Sequence, residues 1–149
     1  MGHQRPEMER AKVIFIISGN PVTKKNSQQI LVNRATGRPF ISPSAKYKEY
    51  AKAAKWELKQ QMHGTDFDYP VAVPVNVACR YFMGTKRKVD LANLIEASLD
   101  ILCDVGILDD DNCTIVARHD ASEVRYDKDH PRAEIEITPI VGETEWPYL

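Results

Sequence analysis

Cysteine is scarce in this chain: Cys79, Cys103 and Cys113 are scattered, and none belongs to a C-x-x-C pair. An odd, dispersed count argues against a disulfide framework or a thiolate zinc site and fits reduced thiols in a cytosolic protein. Long apolar runs are missing too. The longest, Val13 to Ile17 and Val71 to Cys79, fall far short of the roughly 20 residues that a membrane span needs. Pro74 and Asn76 also break the second of them. Met1 to Lys12 is charged and leads into no apolar signal region, so a cytoplasmic protein with no membrane partner is expected. Gly-rich phosphate loops are absent, and Ser27 and Ser98 lack a nucleophile-elbow setting. His119-Asp120 is the one His-Asp pair, and without further metal-spaced histidines it reads as surface. No small-molecule cofactor is expected. No repeat or low-complexity linker divides the 149 residues, which fit one domain with peripheral tails at 1–11 and 139–149.

Net charge is also nearly absent, at −1, but this hides a division. Residues 1–89 carry 16 Lys/Arg against 6 Asp/Glu, whereas residues 90–149 carry 4 against 15. Such asymmetry fits a basic surface for a polyanion beside an acidic cluster with a different task. Two solvated faces of compensating charge would give the same count.

What is present reads as an α+β domain with a mixed sheet and two main helices packed on it. Lys12 to Ser18, Gln29 to Val32 and Arg38 to Ile41 are strand-like, the last two joined by the Ala35-Thr36-Gly37 turn as a hairpin. A helix starts at Ser42 or Ser44, with Pro43 suited to the first helical position after Ser42, and runs to about Met62. Its apolar stripe is Tyr47, Tyr50, Ala51, Ala54, Leu58 and Met62, beside a lysine stripe through Lys48, Lys52, Lys55 and Lys59. Val71 to Met83 is a strand, with Pro74 at its beginning, and a second helix covers Asp90 to about Asp104, closed by Gly106. Strands at Cys113 to Arg118 and Ala133 to Ile137 complete the order β-β-β-α-β-α-β-β.

The second helix is the most informative segment. On the helical wheel Leu91, Leu94, Ile95, Ser98, Leu99, Ile101 and Leu102 form one half, and Asp90, Asn93, Glu96, Ala97, Asp100 and Asp104 the other. The acidic ridge points away from the core and starts at a good N-cap, Asp90. Asp109-Asp110-Asp111 follows directly. Its spacing is not that of an EF-hand. If this turn meets the helix start, two elements supply oxygen ligands for an open Mg²⁺ site, with Mn²⁺ able to substitute. Such a site suits phosphodiester hydrolysis. Lys24, Lys25, Lys86, Arg87 and Lys88 would then hold the DNA backbone. Few aromatic residues flank these basic runs, which disfavours a base-stacking platform.

Lys88-Val89-Asp90-Leu91-Ala92-Asn93-Leu94, then Asp100-Ile101-Leu102, Gly106-Ile107-Leu108 and Asp110-Asp111, resembles the signature of the RusA-type Holliday junction resolvases. In that family an Asp-x-Asp-Asn helix start precedes an Asp-Asp pair, at the spacing that separates Asp90 from Asp110 and Asp111. The loop Asn20 to Ser27 resembles the family's Pro- and Lys-rich loop, and Tyr126-Asp127-Lys128 with Pro131 to Ile135 is similar to phage and prophage members. The resemblance implies a homodimer that nicks branched DNA symmetrically at four-way junctions with Mg²⁺. It makes Asp90 and Asp111 catalytic metal ligands, with Asp110 and Asn93 at flanking motif positions, Asn93 on the DNA side. Two positions depart from the pattern: Ala92 stands where a second aspartate is expected, and Glu96 where a lysine is. Glu96, roughly 120° from Asp90 on the wheel, is expected to restore the lost carboxylate as a catalytic and metal residue. Lys24 or Lys25 is expected to take over the lysine's phosphate contact. A junction-cutting nuclease and a catalytically silent binder of branched DNA are the two readings, separated by Mg²⁺ dependence. A charge-driven protein-interaction module is a third, separated from both by DNA binding that falls steeply with salt.

Overall fold

The chain order is β1 (Val13–Ser18), β2 (Gln28–Val32), β3 (Pro39–Pro43), α1 (Ala45–His63), β4 (Val75–Met83), α2 (Leu91–Asp104), β5 (Val116–Arg118), β6 (Glu123–Tyr126) and β7 (Arg132–Pro139). These elements come from a computed structural model that describes residues 12–24 and 28–140. Lys25 and the Trp146–Leu149 tail lie outside those residues.

Period-two patterning builds the sheet. In β1 Val13, Phe15 and Ile17 are buried and their neighbours exposed, and β7 repeats this with Ala133, Ile135 and Ile137. β7 lies between β1 and β4 and is antiparallel to both, while β5 and β6 pair in succession along the far side of β4, each parallel to it. The sheet is therefore mixed and the domain α+β, as the sequence reading expects. β1 is an edge strand, and α1 covers the edge. The Gln61 side chain accepts from Ile16 N at 2.8 Å and donates to Ile16 O at 2.7 Å, in the manner of a paired strand. Glu57 accepts from Ser18 N and Oγ at 3.0 and 2.7 Å. These contacts satisfy edge groups that otherwise invite pairing with another chain.

Helices α1 and α2 close the sheet's apolar face, and Phe15, Leu58, Tyr81, Leu102 and Ile135 belong to one buried cluster. Its polar link is Tyr81 Oη to Ser98 Oγ at 2.8 Å, which ties β4 to α2. Among the described residues, no buried side-chain nitrogen or oxygen lacks a partner. The β2–β3 hairpin stands outside the main sheet, turned by the Asn33 carbonyl and side chain with Gly37 at positive φ, and leaves Ile30 and Ile41 exposed. Among the described residues, no helix is long and apolar enough to cross a membrane.

Several expectations are corrected. Ser44 caps α1, accepting from Tyr47 N at 3.2 Å, and Pro43 is the last residue of β3, not the first of the helix. β4 starts at Val75 because Pro74 has no N–H for a ladder; Val71 makes only an isolated bridge to Leu108. β5 is shorter than expected, since the Asn112 side chain folds Thr114 into a turn (N to Oδ1 3.0 Å). β6 is an additional strand. β7 runs through Pro139, and Ile140 N bonds to Pro74 O at 3.2 Å, so the chain is still tied to the sheet where a tail was expected.

Candidate active site

Asp90 caps α2 as its type predicts: Oδ1 accepts from Ala92 N at 2.9 Å and Asn93 N at 3.4 Å. The other end closes with a Schellman arrangement, in which Gly106 at φ +84° lets Ile107 N reach Leu102 O at 3.0 Å and Gly106 N reach Cys103 O at 3.1 Å. The chain then passes straight into the acidic turn, which is stapled on itself. Asp110 Oδ1 accepts from Asp111 N at 2.7 Å, and its Oδ2 from Asn112 Nδ2 at 3.1 Å. The backbone amide of Asp111 holds the Asp110 carboxyl below its ordinary pKa, as hydrogen bonding to the ionised form must. Asp111 moves the opposite way. Burial comes first, then the neighbouring Asp110 and, more weakly, Asp100 raise it.

Asp100 was not singled out from the sequence, and the structure gives it a central place. Asn93, Glu96, Asp100 and Asp104 share one face of α2 by their spacing. Lys24 reaches Asp100 Oδ2 at 3.1 Å, and Lys55 of α1 reaches Asp104 Oδ2 at 3.1 Å. The Asp100 bond raises the Lys24 pKa, and Lys24 Nζ also lies 5.8 Å from the centroid of the Tyr47 ring. Cys103, half-buried on this face, has its thiol pushed up to about 11, by burial first and then by Asp111, Asp110, Asp100 and Asp104. One thiol thus feels all four carboxylates. The sequence reading put Ala97 on the outer half of the wheel, but it is buried. On the same face Lys24 reaches Asp100 and Lys55 of α1 reaches Asp104.

The carboxylates therefore fall in two sets. Asp90 and Asn93 stand at the helix start, and Asp100, Asp104, Asp110 and Asp111 gather at its end, roughly 15 Å along the axis from Asp90 to Asp100 at 1.5 Å per residue. Glu96 is exposed between them. Among the described residues, no group of three or more His, Cys, Asp or Glu side chains has the arrangement to hold a metal ion by itself.

Beside the helix start lies a cavity of about 410 Å³, whose lining includes Thr23, Lys46, Thr85, Arg87, Lys88 and Val89. The basic loop divides here. Arg87 and Lys88 line this cavity, while Lys86 lies over the Tyr126 ring, 4.9 Å from its centroid. Tyr126 is nearly half exposed. An aromatic residue therefore does accompany the basic run, supplied by β6 from far along the chain, where sequence neighbours do not reveal it.

A family model described as Endodeoxyribonuclease RusA matches residues 18–138, which takes in both carboxylate sets and the basic cavity. The chain belongs to the RusA endodeoxyribonuclease family. The Crossover junction endodeoxyribonuclease RusA of Aquifex aeolicus (strain VF5) is 25% identical over 104 residues, covering 70% of this chain and 75% of that protein. In this RusA endodeoxyribonuclease, Asp90, Ala92, Asn93, Glu96, Asp110 and Asp111 all fall within the matched residues. The Lys24–Asp100 contact has a bearing on Glu96. A lysine from the loop after β1 stands, through Asp100, on the same helix face as Glu96.

Proposed function

We propose that this protein is a Mg²⁺-dependent, structure-selective endonuclease that resolves four-way DNA junctions by paired symmetric nicks. In this reading it works as a cytoplasmic homodimer in recombination and repair. The observation that carries the reading is the pairing, within one RusA-family chain, of a crowded carboxylate set at the end of α2 with a basic cavity at its start.

The donor chemistry fits a hard divalent cation. The oxygens are carboxylates, and Asp111 is held above its ordinary pKa partly by Asp110 and Asp100, a like-charge crowding that such a cation relieves. We assign Mg²⁺ to Asp110 and Asp111 at one end of α2 and to Asp90 at the other, with Glu96 in place of the aspartate missing at position 92. Because the two sets stand roughly 15 Å apart along the helix, they share one ion only across the two copies of a dimer. When bound, that ion neutralises the phosphate and lowers the pKa of a coordinated water. Mg²⁺ is commonly held through one or two carboxylates completed by waters and substrate phosphates, which suits a chain whose own carboxylates form no complete cage.

The protein's own residues do the rest. The stapled turn fixes Asp110 and Asp111 before substrate arrives, so little ordering is left for the transition state. Lys24, held at Asp100, places a cation where negative charge grows on the phosphate. Lys86, Arg87 and Lys88 grip the backbone, and Asn93 offers an amide at the helix start. Two nicks need two such sites, and a two-fold dimer is the simplest way to supply them.

The decisive experiment offers a labelled four-way junction and a linear duplex of the same sequence, with and without Mg²⁺, beside an Asp90→Asn control. Paired nicks on the junction alone, lost without metal and in the variant, are expected. Tight junction binding with no cutting in any divalent metal would mean that the Ala92 change silences the site. Sedimentation of the free protein as a monomer at working concentration would remove the dimer.

A further inference from the structure

We propose that the basic cavity beside α2 is a phosphodiester subsite, which holds a backbone phosphate next to the scissile one and so sets where the cut falls. The inference rests on the resolvase reading and specifies its contact with the cut strand.

Three cations converge there from distant parts of the chain: Lys46 from the first turn of α1, and Arg87 and Lys88 from the loop before α2. Among the described residues, none of the three has an ion pair or a side-chain hydrogen bond. By contrast Lys12, Lys24, Lys55, Arg80, Arg125 and Arg132 all reach carboxylates. Lys46 also sits at a helix N-terminus, where the backbone already presents partial positive charge and a cation is mildly unfavourable. No acidic residue occupies the first turn of α1 to offset it. Leaving three like charges together without counter-ions costs stability that a bound polyanion offsets.

The remaining lining suits a backbone and not a base. Thr23, which is buried, and Thr85 bring hydroxyls, while among the described residues no carboxylate and no aromatic ring lines the cavity. Without a ring to stack on, the site positions DNA without reading it. Its size lies within the roughly 300–1,000 Å³ of ligand sites, ample for a phosphate with its sugar. The walls are tied together by Asn20, whose Oδ1 accepts from Gly84 N at 2.7 Å. The cavity adjoins the helix-start half of the assigned site. Val89 precedes Asp90 and Thr23 precedes Lys24, each a step of about 3.8 Å between Cα atoms.

The test measures junction binding without Mg²⁺ over a salt series, for the wild type, Lys46→Ala, Arg87→Ala, their double variant and Lys128→Ala as a remote control. It is repeated on junctions carrying a single uncharged methylphosphonate at each position around the cut. Each cavity variant is expected to weaken binding about tenfold and to lower the salt slope by about one. One methylphosphonate position should weaken the wild type while weakening the double variant no further. Cleavage by the variants should spread over neighbouring phosphates. Lys46→Met, which keeps the stem, should behave as Lys46→Ala, and thermal melts check that every variant folds. Unchanged affinity and slope in both single variants, or losses that add at every methylphosphonate position, would overturn the subsite alone. A wild type that fails to bind junctions would overturn the resolvase reading and the subsite with it.

Discussion

The two ends of α2 treat charge in opposite ways. At the C-terminal end, carboxylates crowd until Asp111 is raised, and the protein supplies its own cations, Lys24 to Asp100 and Lys55 to Asp104. At the N-terminal end, Lys46, Arg87 and Lys88 meet over a cavity with no carboxylate among the described residues of its lining. The first region is internally compensated and stapled, and the second is left uncompensated and open. A catalytic acid set has to be held in a fixed geometry before substrate arrives, whereas a DNA-gripping surface gains nothing from partners that DNA must displace. Net charge near zero results from adding the two and describes neither.

The largest expected effect breaks the comparison at its acidic end. Asp111→Asn should lower junction cleavage on the order of 10³-fold, the loss typical of removing a principal stabiliser of transition-state charge. Junction binding should stay within a few-fold, as the basic end is untouched. A parallel loss of binding in a salt titration would show that the two ends are not separable. Next comes the scaffold between them. Leu102 is fully buried on α2, and Leu102→Ala should cost about 2–5 kcal/mol in denaturant unfolding, loosening both regions together. A loss confined to cleavage, with unfolding unchanged, would contradict a shared core. A smaller change sharpens the acidic end alone. Lys24→Ala should lower cleavage by about tenfold while altering stability by less than about 1 kcal/mol, because the ion pair is more than a third exposed. Normal cleavage by a Lys24→Ala, Lys25→Ala double variant would mean that neither lysine replaces the one lost at position 96.

The smallest effect concerns pH. Asp111 has a folded-state pKa above its ordinary value, so its protonated form is favoured by folding. That contribution is complete below the ordinary carboxyl pKa and is lost as pH rises through the folded value. At neutral pH, without metal, ionised Asp111 therefore weighs against the fold. Asp111→Asn should raise Tm slightly at pH 7 and leave it nearly unchanged at pH 3, as read by paired melts. A lower Tm at pH 7 would show that Asp111 is a net stabiliser even without metal.

How much of this could be read beforehand depended on how local each signal is. The Ser44 and Asp90 caps, the hairpin turn at Gly37 and the alternation of β1 and β7 are written in a few consecutive residues, and all appear near their expected places. β6 has four residues, and only Glu123-Val124-Arg125-Tyr126 carries its pattern; its pairing with β4 comes from forty residues upstream and leaves no mark nearby. Ala97 misled because a wheel assigns faces from one helix and cannot know that another structure covers the far side. Asp110 and Asp111 were named from the sequence and stand together in the stapled turn. Asp100, quoted in the signature, was given no role, because its place beside Lys24 and Asp111 is something only the fold creates. Tyr126 against Lys86 was invisible for the same reason.

The position of β7 has a consequence for how the molecule comes into being. The last of the described strands in chain order is the one that sits between β1 and β4. Until residues 132–139 emerge, β1 and β4 have no common neighbour in the sheet. The sheet is then completed in one late step from contacts far apart in sequence, the kind of step that slows folding and exposes a chain to aggregation. A premature stop before Arg132 would thus remove the middle of the sheet and not merely a terminus. For a nuclease this order has a further result: the floor under the helix that carries both charged regions is incomplete until β7 takes its place between β1 and β4.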